Sequence, residues 1–305
     1  MNKWRIFIVG QLLFLSPFAA PTDAFGGTST SVPTAPEISL VTRGVDSLAI
    51  AFVSGSSKNA TQYQYSLDDG TSWKYGTRRG NSIVVSKVDP ATRYQIQLRG
   101  VNSKGAGPAS TSYGTKLALF VGASITAGSG GSGNGWANQV GSRFKWQVAN
   151  VAKGNSGYGL PANNSSRCTG KINFISQLNC GLAFQPDIIF ISGGLNDCRT
   201  KKSLLGSTTS QVVKTFQFAH ERFQGAVVIG TPTITFATGN CLNELNNKIA
   251  LAANEYSVNF VAGAQNWLPG KTYRNSDGVH PNIYGHSYIA RRVIAWLAQK
   301  RLTLS

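Results

Sequence analysis

Charge is scarce in this chain: 13% of its 305 residues are Asp, Glu, Lys or Arg, and acids are the rarer sign, 12 against 29 bases. There are three histidines and four cysteines, with no Cys-x-x-Cys pair. Beyond the first fifteen residues no apolar run approaches the ~20 residues that a membrane-spanning helix needs. Each shortage excludes something. An even number of cysteines without metal-type spacing argues for disulfides and against a zinc site. Three histidines leave few candidates for a general base. Low charge together with 41% hydrophobic residues excludes disorder and supplies a real core. The formal net charge of +17 fits steering toward anionic polymers or surfaces. The bases do not cluster into a nucleic-acid-binding motif, so no nucleic acid partner is expected.

The chain opens with the features of an export signal. Asn2-Lys3-Trp4-Arg5 carries positive charge, Ile6 to Leu15 is a short apolar run, and Thr22-Asp23-Ala24 offers small residues for cleavage. Residues 1–24 therefore read as a signal peptide, which predicts a secreted or periplasmic protein without a transmembrane anchor. In that oxidising setting the four cysteines, all after residue 160, are expected to pair. Of the three possible pairings, Cys168 with Cys180 closes a short loop, and Cys198 and Cys241 each follow a predicted buried strand; these two pairs are favoured. Residues 25–35, with Gly26-Gly27-Thr28-Ser29-Thr30-Ser31 before Pro33, read as a linker.

From Pro36 to about Tyr113 the pattern is one of short alternating runs: 47–52, 62–66, 82–85 and 94–99, separated by turn residues such as Asp68-Asp69-Gly70. A period of two without any helical window predicts an antiparallel, immunoglobulin-like sandwich. Val88-Asp89-Pro90-Ala91-Thr92-Arg93-Tyr94 resembles the turn and tyrosine corner of a fibronectin type III domain, and Val101 to Gly107 resembles its last hairpin. That resemblance implies a non-catalytic domain over 36–115, with Trp73 and Tyr94 as core or corner residues.

After Lys116 come buried runs at 117–121, 147–151, 187–192, 226–230 and 258–261, apolar with little alternation, as parallel strands covered on both faces should be. The stretches between them suit helices; Ile289, Val293, Trp296 and Leu297 recur at helical spacing. The expectation is a three-layer α/β sandwich around a five-stranded, flavodoxin-like parallel sheet, with its site at the carboxyl ends of the strands.

Four blocks fall at those ends. Ser124 follows the first run in Gly122-Ala123-Ser124. Asn150 to Gly157 is a glycine-bearing loop after the second, and Ser192-Gly193-Gly194-Leu195-Asn196-Asp197 closes the third. Asp277-Gly278-Val279-His280 precedes the last helix. Singly, each has a plain reading as a turn or a helix cap. Together they suit acyl transfer, because a serine hydroxyl needs imidazole to take its proton, a carboxylate to orient the imidazole and donors for an oxyanion. His220 and His286 sit in predicted helices without a similarly placed acid, which leaves His280 as the base. Asp197 reads as a loop organiser.

In this order the blocks resemble the SGNH hydrolases, the GDSL esterase superfamily. Its four naming residues fall here on Ser124, Gly157, Asn196 and His280, with Asp277 three before the histidine, and the resemblance covers nearly everything from Leu117 onward (domain 116–305). It implies a Ser124–His280–Asp277 triad and an oxyanion hole formed by the Ser124 and Gly157 amides with the Asn196 side chain. It implies no metal or organic cofactor. Two departures stand out: Ala123 replaces the family's usual Asp, and Gly154 and Gly159 compete with Gly157 for the loop position. An exported enzyme with an accessory sandwich suits ester substrates on an extracellular polysaccharide. The absence of an apolar lid between Thr126 and Asn150 favours short acyl groups such as acetyl. The alternative is an inactive glycan-binding protein with Ala123 as a mark of decay, against which stands the retention of Ser124, Asn196, Asp277 and His280 together.

Overall fold

Period-two alternation assigns each buried strand to two cores at once. The computed structural model describes residues 31–163, 168–199, 203–268 and 270–302; the signal-peptide reading and most of the linker lie outside them. Eight strands precede the α/β part: β1 Ile38–Arg43, β2 Ser47–Phe52, β3 Gln62–Ser66, β4 Lys74–Tyr75, β5 Thr77–Arg79, β6 Ser82–Ser86, β7 Gln97–Asn102 and β8 Gly105–Ala109. Five follow, at or within a residue or two of the expected runs: β9 Leu117–Gly122, β10 Gln147–Asn150, β11 Ile188–Ser192, β12 Val227–Gly230 and β13 Asn259–Phe260. The helices are α1 Ser124–Ala127, α2 Trp136–Phe144, α3 Phe174–Gly181, α4 Leu195–Cys198, α5 Gly206–Arg222, α6 Asn240–Glu255 and α7 Ile283–Gln299.

Strand β9 is buried along its whole length. Leu117, Leu119 and Val121 meet α3, α5 and α6 on one face, while Ala118 and Phe120 meet α2 and α7 on the other. Ile189 and Ile191 of β11 join the first core, Ile188 and Phe190 the second. Covering both faces with helices is what lets such a run dispense with polar residues.

The expectation of a free-standing five-stranded sheet is corrected here. The sheet has nine strands in the order β13-β12-β11-β9-β10-β1-β2-β6-β5. Strands β9 to β13 form its parallel part, but the edge of β10 is not free: β1 lies parallel beside it, with Val41 opposite Gln147 and Thr42 opposite Val148. Strands β1, β2, β6 and β5 then continue antiparallel. The second sheet, β4-β3-β7-β8, packs on them over a core of Val41, Leu48, Ile50, Tyr63, Ile83, Ile96 and Leu98. An exposed strand edge invites pairing, and here the N-terminal sheet covers one.

Polar groups fasten the same junction. Arg43, at 1% exposure, donates to the Gln147 side chain (2.6 Å) and to the carbonyls of Asp89 (2.7 Å), Pro90 (3.1 Å) and Thr92 (3.2 Å). Gln147 in turn donates to the carbonyls of Tyr94 and Gly114. Arg93 pairs with Asp187 at 3.2 Å. The corner-like turn at 88–94, where the Tyr94 hydroxyl accepts the Asp89 N–H at 3.0 Å, thus serves as the contact with the α/β part. Trp73 is half-buried, with the Arg99 guanidinium 4.2 Å from its ring centroid. Among the described residues no helix is long and apolar enough to cross a membrane.

Candidate active site

Strand β9 ends at Gly122, and Ser124 begins the short helix α1, so its side chain stands at the carboxyl edge of the sheet with its own N–H free of a helical partner. Across the edge, the turn before α7 is self-bonded: Asp277 Oδ1 accepts the N–H groups of Val279 (2.8 Å) and His280 (2.9 Å). The other carboxylate oxygen, Oδ2, meets His280 Nδ1 at 2.7 Å, and His280 Nε2 meets Ser124 Oγ at 2.8 Å. With Nδ1–H donated to the carboxylate, Nε2 is left to accept the serine proton. The His280 backbone N–H, its imidazole and the Val279 N–H hold the Asp277 carboxyl down to about 2, so the orienting charge persists through the acid range.

Ala123 is buried in the larger core and lines the cavity floor beside Ser124, where the family's usual Asp would bring a carboxylate. Asn196, on α4 after β11, also faces the cavity and donates one amide hydrogen to the Ser156 carbonyl at 2.8 Å. Its turn depends on Gly194, whose φ of 121° excludes a side chain.

Gly157 departs from expectation. Its N–H donates to the Leu160 carbonyl at 2.7 Å, and it does not line the cavity. Glycine is required there for a different reason: a Cβ would overlap the Asp197 carboxylate. In the same loop, a Cβ on Gly154 would lie 3.7 Å from that of Ser124, and Asn155 lines the cavity.

Asp197 does organise a loop, the one from β10 and not its own. Its carboxylate accepts the N–H groups of Tyr158 (2.9 Å), Gly159 (2.9 Å) and Leu160 (3.1 Å), and burial pushes its pKa up. Asp197→Asn would set an amide NH2 against one of these donors. It should lower unfolding stability by about 1–3 kcal/mol in a urea titration, and an unchanged midpoint would remove Asp197 from this role.

Two supports escaped the sequence reading. Gln177, fully buried on α3, accepts the Gly122 N–H (2.8 Å) and donates to the Gly122 carbonyl (3.0 Å) and to Ser156 Oγ (2.9 Å), joining the end of β9 to the 150–157 loop. A glutamine inside the otherwise apolar face of an amphipathic helix was its only signal. His286, also buried, accepts the Trp136 N–H on Nδ1 (3.2 Å) and reaches the Ser129 carbonyl through Nε2 (2.9 Å). Burial lowers its pKa, and as a neutral ring it fixes the glycine-rich 128–135 segment.

Ser124, Asn196, Asp277 and His280 open into one cavity of about 780 Å³, within the range of sites that enclose small ligands. The 233–242 segment forms one wall of it, including Thr233, Ile234, Thr235, Phe236 and Asn240. The disulfide Cys198–Cys241 joins α4 to the start of α6 along this wall, and Cys168–Cys180 closes the other predicted loop.

Over residues 120–288 the sequence matches the GDSL-like lipase/acylhydrolase family. The chain belongs to that family. It is a carboxylic ester hydrolase. Among solved structures, an acetyl xylan esterase from Butyrivibrio proteoclasticus is 13% identical at a TM-score of 0.50, and the match covers 90% of this chain and 97% of that one. The likeness of fold therefore extends to the N-terminal strands. A family two carbohydrate esterase from Clostridium thermocellum (16% identity, TM-score 0.49, 85% and 90% coverage) and the esterase EstA from a Pseudoalteromonas species (12%, 0.48, 60% and 97%) are also similar. No curated protein sequence matches the chain.

Proposed function

We propose that this GDSL-family hydrolase is an exported serine esterase acting by the triad Ser124–His280–Asp277 on short-chain acyl esters, such as acetyl esters, of an extracellular polysaccharide. One observation carries the reading: the unbroken hydrogen-bond chain from Asp277 through His280 to Ser124 Oγ at the floor of the cavity. In the first step Ser124 Oγ bonds to the ester carbonyl carbon while its proton passes to His280 Nε2. The resulting oxyanion is held by the Ser124 N–H and the second amide hydrogen of Asn196. His280 then returns the proton to the departing alcohol. In the second step water, deprotonated by the same imidazole, bonds to the acyl carbon; the bond to Ser124 Oγ then breaks as His280 returns the proton to it, and the acyl group leaves as its acid.

The domain reading belongs to the same proposal: a signal peptide over 1–24, a linker over 25–35, a fibronectin type III-like domain over 36–115 and the hydrolase domain over 116–305. The corner-like Tyr94–Asp89 bond supports the second domain type, and the two disulfides suit an oxidising compartment. An acetyl group needs little of the 780 Å³, which leaves most of the cavity to the alcohol component.

A fluorophosphonate probe followed by peptide mapping should place the label on Ser124. Turnover of p-nitrophenyl esters should fall as the acyl chain lengthens from acetyl. Label on another residue would refute the nucleophile, and equal turnover of acetyl and long-chain esters would refute the short-acyl preference.

A further inference from the structure

We infer that the acylated polymer is an anionic polysaccharide whose sugars carry carboxylates, and that Arg199 binds the carboxylate of a sugar seated beside the ester. This rests on the esterase reading above and specifies its alcohol component.

The charges lining the cavity are the first observation. Two lining side chains are formally charged: Asp277, engaged by His280, and Arg199. Arg199 is exposed and has no ion-pair partner among the described residues. Its backbone is held in place, since it ends α4 immediately after Cys198, whose disulfide to Cys241 ties it to the start of α6. A guanidinium is a planar fork that takes a carboxylate through two parallel hydrogen bonds. The same cavity is lined by Thr235, Thr238, Asn155 and Asn240, residues whose hydroxyl and amide groups are the chemistry that meets sugar hydroxyls.

The charge of the whole molecule is independent of that cavity and points the same way. Bases exceed acids by a net +17, yet among the described residues a single Lys or Arg, Arg93, pairs with a carboxylate. Several acids are occupied internally: Asp197 on three backbone N–H groups, Asp277 on His280, Glu244 on the Leu204 N–H. The net of +17 already counts them, so the unpaired bases dominate the field. Such a field raises the local concentration of a polyanion and its association rate, and weakens as salt is added. A neutral polysaccharide gains nothing from it, and an anionic lipid surface would have little use for a cavity wall of hydroxyls and amides.

The test compares kcat/KM of the mature protein on O-acetylated polygalacturonate and on an O-acetylated neutral glucan of matched acetyl content, at low and high salt. The expected result is a preference for the polyuronate of roughly tenfold or more at low salt that shrinks as salt rises. Arg199→Gln should bring the ratio of the two polymers toward one, chiefly through KM on the polyuronate. Lys300→Gln, which removes the same charge at the exposed end of α7, should leave the ratio in place. Equal rates on the two polymers, or equal effects of the two variants, would overturn the inference. Hydrolysis of p-nitrophenyl acetate by the unmodified protein separates the layers: if it is absent the esterase reading fails, and if it is present while the polymers rank equally only this inference fails.

Discussion

Ser124→Ala is expected to lower kcat/KM for p-nitrophenyl acetate by about 10⁴-fold or more, with the unfolding midpoint unchanged. The hydroxyl it removes bonds to His280 Nε2 and is only half-buried, so the fold loses little while the reaction loses the atom that forms the acyl bond. Asp277→Asn should cost nearly as much, about 10³–10⁴-fold. An amide at that position can donate to Nδ1, which moves the imidazole proton to Nε2, where it can no longer accept the serine proton. The carboxyl is held down to about 2, so Asp277 remains ionised across the working range and should add no proton of its own to the acid limb of the pH–rate profile. By linkage, the stability Asp277 contributes is present above the ordinary carboxylate range and disappears as pH falls toward 2. Steady-state kinetics across pH beside thermal unfolding of the variants checks both parts; appreciable esterase activity in well-folded Ser124→Ala would end the triad proposal.

The second large effect lies far from the chemistry. Arg43→Met should destabilise the protein by about 1–3 kcal/mol, the cost of leaving a buried acceptor without its donor. Methionine keeps most of the apolar length, so the loss comes from the partners: the Gln147 side-chain oxygen would be left buried without its donor, and the carbonyls of Asp89, Pro90 and Thr92 would lose theirs. These groups belong to β10 and to the 88–94 turn, so the substitution should loosen the N-terminal sheet from the parallel one. Urea unfolding should show a lower midpoint, and a broadened or split transition if the two parts then melt apart. A change below about 0.5 kcal/mol would mean that the continuous sheet holds without this side chain. The same junction predicts that the N-terminal strands behave as part of the enzyme's body and not as a tethered spacer.

How much was legible varied with the range of the interaction. The runs at 117–121, 147–151 and 187–192 became β9, β10 and β11 within a residue or two, because burial on both faces demands unbroken apolar residues whatever the neighbours are. His280 and Asp277 could be paired from the sequence because they stand three positions apart and one turn supplies their contact. Gly157 was assigned to the oxyanion by its place in the motif. The structure instead engages its N–H with Leu160 and its missing Cβ with Asp197, forty positions away, a contact that no local pattern reports. Gln177 was passed over because a buried glutamine looks like any other polar residue until its two partners, Gly122 and Ser156, are placed around it.

From its own pattern, then, the sequence determined the class of each segment and the order of the four chemical blocks, since period and turn chemistry are properties of neighbouring residues. The tertiary structure alone decided that the two halves share one sheet, that Arg43 is buried at their junction, and that Arg199 and Ser124 line the same cavity. Strand pairing and the solvation of a charge depend on what arrives from distant parts of the chain: β1 carries the same residues whether its edge meets β10 or water, and only the assembled fold settles which.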